Sequence, residues 1–297
     1  MIKTAYIIAG PTAVGKTAIA LQLAKRLDTA IISADSRQCY KGMAIGTAQP
    51  SANELKAVKH YFINEFNVTD ALTAADYERL ALQYLDTVFS DHDAAVVCGG
   101  TGLYIKALCE GLDDMPEADA AIANAINDQY KQQGIAWLQE AVKNEDPEFY
   151  ERGELQNPAR LIRALGFIRS TGSSIIAYRT NVRKQRPFRI VKVGLELPRQ
   201  ELYDRINQRV DIMMADGLPA EMEQLLPYRD SKNMHTVGYA ELLDYMDGKC
   251  TLAEATEKIK QHTRNYAKRQ MTWFKKDKEF VWLSPADPDI ISKIMQL

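Results

Sequence analysis

The stretch TAYIIA at 4–9, followed at once by GPTAVGKT at 10–17, decides the fold. The first six residues read as a buried strand. The next eight fit G-x-x-x-x-G-K-[ST] at every fixed position, and Ala18–Leu27 follows as a helix with Ile19, Leu23 and Leu27 on one face. A strand, a glycine-rich loop and a helix in that order form the setting in which this pattern binds phosphate. The glycines let Gly10, Pro11, Thr12, Ala13, Val14 and Gly15 curl so that backbone N–H groups surround an oxyanion. The helix N-terminus behind them adds its positive end. Lys16 would neutralise terminal phosphate charge, and the Thr17 hydroxyl is placed to ligate Mg²⁺. The loop identifies a di- or triphosphate group as ligand, nucleotides such as ATP included, and leaves the reaction open. Kinases, ATPases and transferases with a diphosphate leaving group all need such a cradle.

Outward from the loop, strand and helix alternate. TAIISA at 29–34 and AAVVC at 94–98 read as further buried strands, with Thr73–Phe89 as a helix between them. This predicts an α/β fold, a parallel sheet with helices on both faces. After Gly111 the pattern turns helical, over Ala118–Gly134, Ile135–Lys143 and Pro158–Ser170. A polar loop follows at Asn181–Pro187. Phe188–Leu197 returns to a strand pattern, Gln200–Asp216 reads as a helix ending at Gly217, Leu252–Lys276 as one long helix, and Glu279–Leu283 as a last strand. The expected organisation is therefore a P-loop NTPase-like core from 1–111 and 188–297, interrupted by a helical insertion at 112–187.

Two more polar motifs sit directly after strands: DSRQ at 35–38 and GGTGLY at 99–104. Ligands in open α/β sheets gather outside the carboxyl ends of the strands, so both should face the crevice that holds the phosphate loop. Asp35 there could hold Mg²⁺, act as a general base, or simply cap a turn. Thr101 has the same plainer alternative, a turn residue in a glycine-rich bend.

The bulk properties are those of a soluble globular protein: 46% hydrophobic and 26% charged residues in a chain of 297. No apolar run is long enough to span a membrane. Met1-Ile2-Lys3 leads straight into a strand, so no signal peptide is expected, and a cytoplasmic, monomeric enzyme is the default. The four cysteines form no C-x-x-C pair and the four histidines no ligand spacing, which argues against a zinc site. Net charge is only −2, but it is unevenly distributed. Twelve acidic residues against three basic ones lie between Glu110 and Glu154. Nine basic and no acidic residues follow from Arg160 to Lys192, and eight basic against one acidic from Lys258 to Lys278. The basic runs suggest a local anionic partner, although a solvated helix face would give the same pattern. On the long C-terminal helix Lys260, Arg264 and Lys268 recur every four residues and are placed to meet phosphates. Ile259, Thr263, Tyr266, Gln270 and Trp273 form a second stripe that reads as core contact.

Taken together, GPTAVGKT at 10–17, ADSRQCYKGMAIGTAQP at 34–50, GGTGLYIKALCEGL at 99–112, NPARLIRAL at 157–165, LYDRINQRVDIMMADGL at 202–218, VGYAELLDYMDG at 237–248 and TRNYAKRQMTWF at 263–274 resemble the tRNA dimethylallyltransferase family over nearly the whole chain. The resemblance implies transfer of a dimethylallyl group from its diphosphate to N6 of the adenosine beside the anticodon, at position 37 of a tRNA. Gly10–Thr17 would then hold the diphosphate of dimethylallyl diphosphate, and Asp35 would accept the N6 proton. Ser36, Arg37 and Gln38 would contact the flipped-out base and its neighbours, and Thr101 would line the channel. Arg209 would clamp the departing diphosphate with Arg205 one turn away. Ala159, Arg160, Leu161, Ile162 and Arg163 would touch the tRNA anticodon stem-loop from the insertion. The chain departs from the family at Gly166, where a glutamate is usual, and at Ala123, where an arginine is common. The rival readings are a nucleoside or nucleotide kinase with a helical lid, an adenylate isopentenyltransferase, and a non-catalytic RNA-binding ATPase.

Overall fold

In the computed structural model, which describes residues 2–180 and 182–297, six strands form one sheet in the order β3-β2-β4-β1-β5-β6, all parallel. They are β1 (Thr4–Ala9), β2 (Ile31–Ser33), β3 (His60–Tyr61), β4 (Ala94–Gly99), β5 (Arg189–Leu195) and β6 (Val281–Leu283). Successive strand residues point to opposite faces, and the core divides accordingly. Ile7, Ile32 and Val97 pack on one side with Tyr77, Leu85 and Tyr104, while Ile8, Ile31 and Val96 pack on the other with Ile19, Leu23 and Ile206. Both faces are buried, which explains why the strands read as continuous apolar runs. Only β3 escapes a sequence reading: two residues carry no periodicity.

The register matters for function. Ala9, the last residue of β1, lies beside Gly99 of β4 and Gly194 of β5. The loops after these strands therefore leave the sheet at one level.

The helices expected from sequence are present, with two instructive differences. Within Ala120–Glu145 the φ of 76° and ψ of −173° at Gly134 fit no helix, so two helices meet at that glycine as expected, with only a kink between them. Gly217 does not only end the Arg199–Ala215 helix: in the left-handed region at φ 98°, it also opens the Leu218–Leu225 helix. The Thr73 side chain and Asp76 cap the Ala74–Asp91 helix reciprocally.

By contacts the chain divides into two compact units, 1–110 with 185–297, and 111–184. The first contains the sheet. Arg186 goes with it, through a buried ion pair to Glu78 and hydrogen bonds to the carbonyls of Ala107 and Leu108. The expected polar loop begins at Asn181, which lies outside the described residues.

The second unit has its own core of Ile126, Leu138, Val142, Phe149, Leu161, Leu165 and Phe167. Its acidic and basic stretches meet each other: Glu145 pairs with Arg169, Glu154 with Arg160 and Asp114 with Lys184. Three basic residues of the run that begins at Arg160 are thus paired within the unit. Its two departures from the family pattern are one contact. A Cβ on Gly166 would sit 3.8 Å from the Ala123 Cβ, so where that pattern has a glutamate and an arginine, this chain packs two small residues against each other.

Lys192 in β5 corrects the charge reading further. It counts among the basic run but is buried, with Nζ 2.7 Å from both Asp277 and Glu279 and 3.5 Å from Glu110. Burial alone would lower its pKa, but the hydrogen bonds it donates to the two nearer carboxylates outweigh that and hold it above the ordinary lysine range. This contribution is complete below the ordinary lysine pKa and is lost only as pH rises through the raised value. Between about pH 5 and 9 it is therefore constant in the native chain. Lys192→Met removes the ammonium shared by carboxylate oxygens that lie within 4.8 Å of one another. It should destabilise the fold by about 3 kcal/mol at neutral pH. Repulsion among the carboxylates weakens as acid neutralises them, so the variant's deficit should shrink as pH falls. Denaturant melts of both chains from about pH 8 down to about pH 5 check this; a deficit independent of pH would contradict it.

Candidate active site

The phosphate loop takes its shape from three residues in the left-handed half of backbone space, Gly10 (φ 148°), Ala13 (φ 63°) and Gly15 (φ 101°). Gly10 is also fixed by contact, since a Cβ there would come within 2.7 Å of the Leu195 carbonyl oxygen. Val14 is fully buried and anchors the loop from below. Lys16 Nζ donates to the Pro11 carbonyl at 2.7 Å, folding its side chain back over the loop.

One side chain ties this loop to the next motif. Gln270 of the Leu252–Phe274 helix accepts a hydrogen bond from Thr12 N at 2.8 Å and donates one to Gly100 O at 2.9 Å. It is buried, and Gly100 has no side chain because a Cβ there would meet the Gln270 amide at 2.2 Å. Gly99 is similarly constrained by the backbone of Ala34. The GGTG segment therefore consists of glycines because two neighbours press against it.

Asp35 uses one carboxylate oxygen as a turn cap, accepting from Arg37 N at 2.9 Å and Gln38 N at 3.3 Å. Capping and a chemical role are compatible, because the carboxylate also lines the cavities described next. Ser36 N donates to Thr101 Oγ1 at 3.0 Å, and the Tyr266 hydroxyl is hydrogen-bonded to the same threonine. Thr101 itself lies in neither cavity wall. It is half-buried beside them and accepts the Ser36 N–H.

Two adjoining cavities open here. One, of about 380 Å³, holds the loop residues Thr12, Ala13, Gly15, Lys16 and Thr17 together with Arg205 and Gln270. The other, of about 200 Å³, has an aliphatic wall of Val210, Met213, Leu218, Val237 and Ile259. Thr12, Asp35, Thr47, Arg209 and Tyr266 belong to both linings. The second stripe on the long helix, expected as core, is thus partly cavity wall. Ile259, Thr263, Tyr266 and Gln270 face the site, and Trp273 is partly exposed against Gly102. Periodicity shows that residues share a face; it cannot show whether that face meets side chains or a cavity.

The electrostatics favour a polyanion. Among the described residues neither Lys16 nor Arg209 has an ion pair. Arg209 Nη1 donates to Thr12 Oγ1 at 3.3 Å, above the loop. Burial pushes the Lys16 pKa down to about 8, with the positive charge of Arg209 adding and Cys98 and Asp35 opposing. Burial also lowers that of Arg209, against the pull of Asp35. Two desolvated cations facing one carboxylate are stabilised when an anion of higher charge binds.

Other expected residues fare differently. Arg205 lines the phosphate cavity but pairs with Glu201 at 2.9 Å. Arg37 donates to Asn233 Oδ1 at 2.7 Å and lines the aliphatic cavity. Gln38 borders the phosphate cavity, yet its amide is engaged by Ser33 and by the carbonyls of Thr47 and Ala48, so it shapes the loop at 46–49 rather than offering free groups to a base. In the second unit Leu161 is fully buried in the core, which corrects its expected contact role, and Ile162 is half-buried. Ala159, Arg160 and Arg163 are exposed. On the long helix Lys260 pairs with Asp211 and Glu257, and Arg264 donates to Asn207 Oδ1. Of that stripe Lys268 alone is exposed with its side chain uncommitted among the described residues. Sequence reading places Tyr266 and Gln270 in the core stripe and gives Thr47 and Asn233 no role, because their roles depend on partners distant in sequence.

A parallel α/β core, with a phosphate loop whose half-buried cations open beside an aliphatic chamber, defines a P-loop enzyme that handles a polyanion joined to an apolar group. More specifically, the chain belongs to the IPP transferase family, whose model matches residues 38–277. It is 45% identical over 296 residues to tRNA dimethylallyltransferase 1 of Phocaeicola vulgatus, covering 100% of this chain and 98% of that one. It is 42% identical over 285 residues to the tRNA dimethylallyltransferase of Cytophaga hutchinsonii, covering 96% and 94%. Among solved structures, the tRNA isopentenylpyrophosphate transferase of Bacillus halodurans aligns with a TM-score of 0.71 at 36% identity, covering 100% of this chain and 94% of that one.

The depressed Lys16 pKa makes a prediction. Above about pH 8 the free side chain is largely neutral, and a bound diphosphate restores its charge, so binding takes up a proton and affinity falls as pH rises. Calorimetry with inorganic diphosphate in buffers of different ionisation enthalpy, at about pH 8.5, should give about 0.7 more protons taken up by the native chain than by Lys16→Arg, whose guanidinium stays charged. Equal uptake would remove Lys16 from the anion site.

Proposed function

We propose that this chain transfers the dimethylallyl group of dimethylallyl diphosphate to N6 of adenosine 37, beside the anticodon of a tRNA, and releases diphosphate. The observation that carries this reading is the shared wall. Asp35 lies with Thr12 and Arg209 between the phosphate cavity and the aliphatic cavity, so a carboxylate faces the junction of a diphosphate with its apolar group.

The reaction makes three demands, and residues at the site suit each. The adenine amino nitrogen is a poor nucleophile because its lone pair is delocalised into the ring, so its proton must be taken as the new bond forms; the free oxygen of Asp35 suits this. Charge growing on the leaving diphosphate needs fixed positive groups, which the loop N–H groups, Lys16 and Arg209 supply. Water must be kept from the allylic carbon, and the aliphatic wall of Val210, Met213, Leu218, Val237 and Ile259 suits that. The target base has to leave its stack, which costs least in a single-stranded loop.

A magnesium ion fits the donor set. Thr17 lines the phosphate cavity and offers a hard oxygen ligand, and Mg²⁺ typically takes few protein ligands besides phosphate oxygens and water. When bound it would neutralise charge on the diphosphate oxygens. For the RNA we assign the exposed Arg163 and Lys268 to phosphate contacts; Arg160 is already paired with Glu154. No helix among the described residues is long and apolar enough to cross a membrane. With tRNA as the substrate, we place the reaction in the cytoplasm.

Asp35→Asn is the informative variant, because the amide oxygen can still accept from Arg37 and Gln38 while losing its basicity. Transfer from labelled dimethylallyl diphosphate to unmodified tRNA should fall by about 10²–10⁴-fold with the melting temperature little changed. Mass spectrometry of digested tRNA identifies the product. Retention of near-native transfer by Asp35→Asn would reject the carboxylate as base.

A further inference from the structure

The two cavities share a single source of aromatic character. Among the described residues that line them, Tyr266 carries the one aromatic ring, and it belongs to both walls. The other large apolar wall residues, Val210, Met213, Leu218, Val237 and Ile259, are aliphatic. They give volume and exclude water but present no directed charge. An aromatic ring presents a negative face to whatever lies over it.

Resting on the prenyl-transfer reading above, we propose that Tyr266 is a catalytic residue whose ring, placed where the diphosphate cavity meets the aliphatic cavity, stabilises the positive charge that develops on the allylic carbons. In that step the bond between C1 of the donor and the diphosphate oxygen breaks, and its electron pair leaves on the oxygen. The positive charge spreads over three allylic carbons. The N6 lone pair then forms the bond to C1, and the N6 proton passes to Asp35. Diphosphate receives its charge among Lys16 and Arg209 on one side of the junction, and the carbon fragment is left opposite it, beside the ring.

Three features hold the ring ready. Its hydroxyl is hydrogen-bonded to Thr101, which is fixed in turn by Ser36 N, so the ring cannot swing freely. Its helix is anchored one turn on by the Gln270 bridge between the phosphate loop and Gly100. Finally, the phenol stays neutral: burial first, and then the charge of Asp35, raise its pKa to about 12 against the opposing effect of Thr101, so the ring and not a phenolate is present. The Arg269 guanidinium lies 5.8 Å from the ring centroid, but its side chain is exposed and water screens it.

The test is a series at position 266 in the full-length chain: Tyr266→Phe, the same position carrying phenylalanine with one, two and three ring fluorines, and Tyr266→Leu. Transfer is measured as the single-turnover rate at saturating tRNA, alongside donor affinity and the melting temperature. Tyr266→Phe should stay within about 3-fold of native, and Tyr266→Leu should be about 30-fold slower with donor affinity little changed. Across the fluorinated residues the logarithm of the rate should fall in step with fluorine number, because each fluorine withdraws charge from the ring face while leaving its shape. A flat fluorine series would overturn the proposal whatever Tyr266→Leu does. So would a Tyr266→Phe chain as slow as Tyr266→Leu, or a Tyr266→Leu defect confined to affinity. A native chain that transfers nothing to tRNA would instead reject the assigned reaction, and this role with it.

Discussion

Two half-buried cations that line the phosphate cavity, neither with an ion pair among the described residues, govern this structure. Lys16 and Arg209 are held at the mouth of the phosphate loop where desolvation costs free energy, and the charge of Asp35 offsets some of it. Lys192 shows how the same fold treats a buried cation that serves the scaffold alone, by surrounding it with Glu110, Asp277 and Glu279. The contrast separates site from scaffold. An unpaired half-buried charge is tolerated where a ligand will complete it, and Lys192, which awaits no ligand, is paired.

The geometry around those cations depends on the Leu252–Phe274 helix. It stands far from the loop in sequence, yet through Gln270 it fixes both the Thr12 N–H and the Gly100 carbonyl, and through Tyr266 and Thr101 it reaches Ser36, next to Asp35. A helix is a stiff rod, so groups one turn apart hold two motifs at a set separation. The basic residues of the same helix do less than their spacing suggests, since Lys260 and Arg264 are spent on the neighbouring Arg199–Ala215 helix.

The inserted unit repeats this lesson on a larger scale. Its acidic first half and basic second half face each other across its own helices, and Ala123 and Gly166 allow close approach where longer side chains would otherwise sit. What remains at its surface for an anionic partner is a small subset of the basic residues in the chain.

The sequence by itself determined the strand pattern, the parallel α/β class, the phosphate loop and the family, because these follow from local periodicity and from motifs whose chemistry is contained within eight to seventeen consecutive residues. It also located Asp35 at the correct edge, since loops that follow parallel strands leave at one end of the sheet. Only the tertiary structure decided that Thr101 holds Ser36 N, that Gln38 is engaged by its own loop, that Leu161 is core, and that the stripe through Tyr266 and Gln270 borders a cavity. It decided as well which of the basic residues are already neutralised. The physical reason is the same in each case: a side chain's role depends on what lies within about 4 Å of it, and in these cases the partner comes from a separate stretch of chain or is the cavity itself.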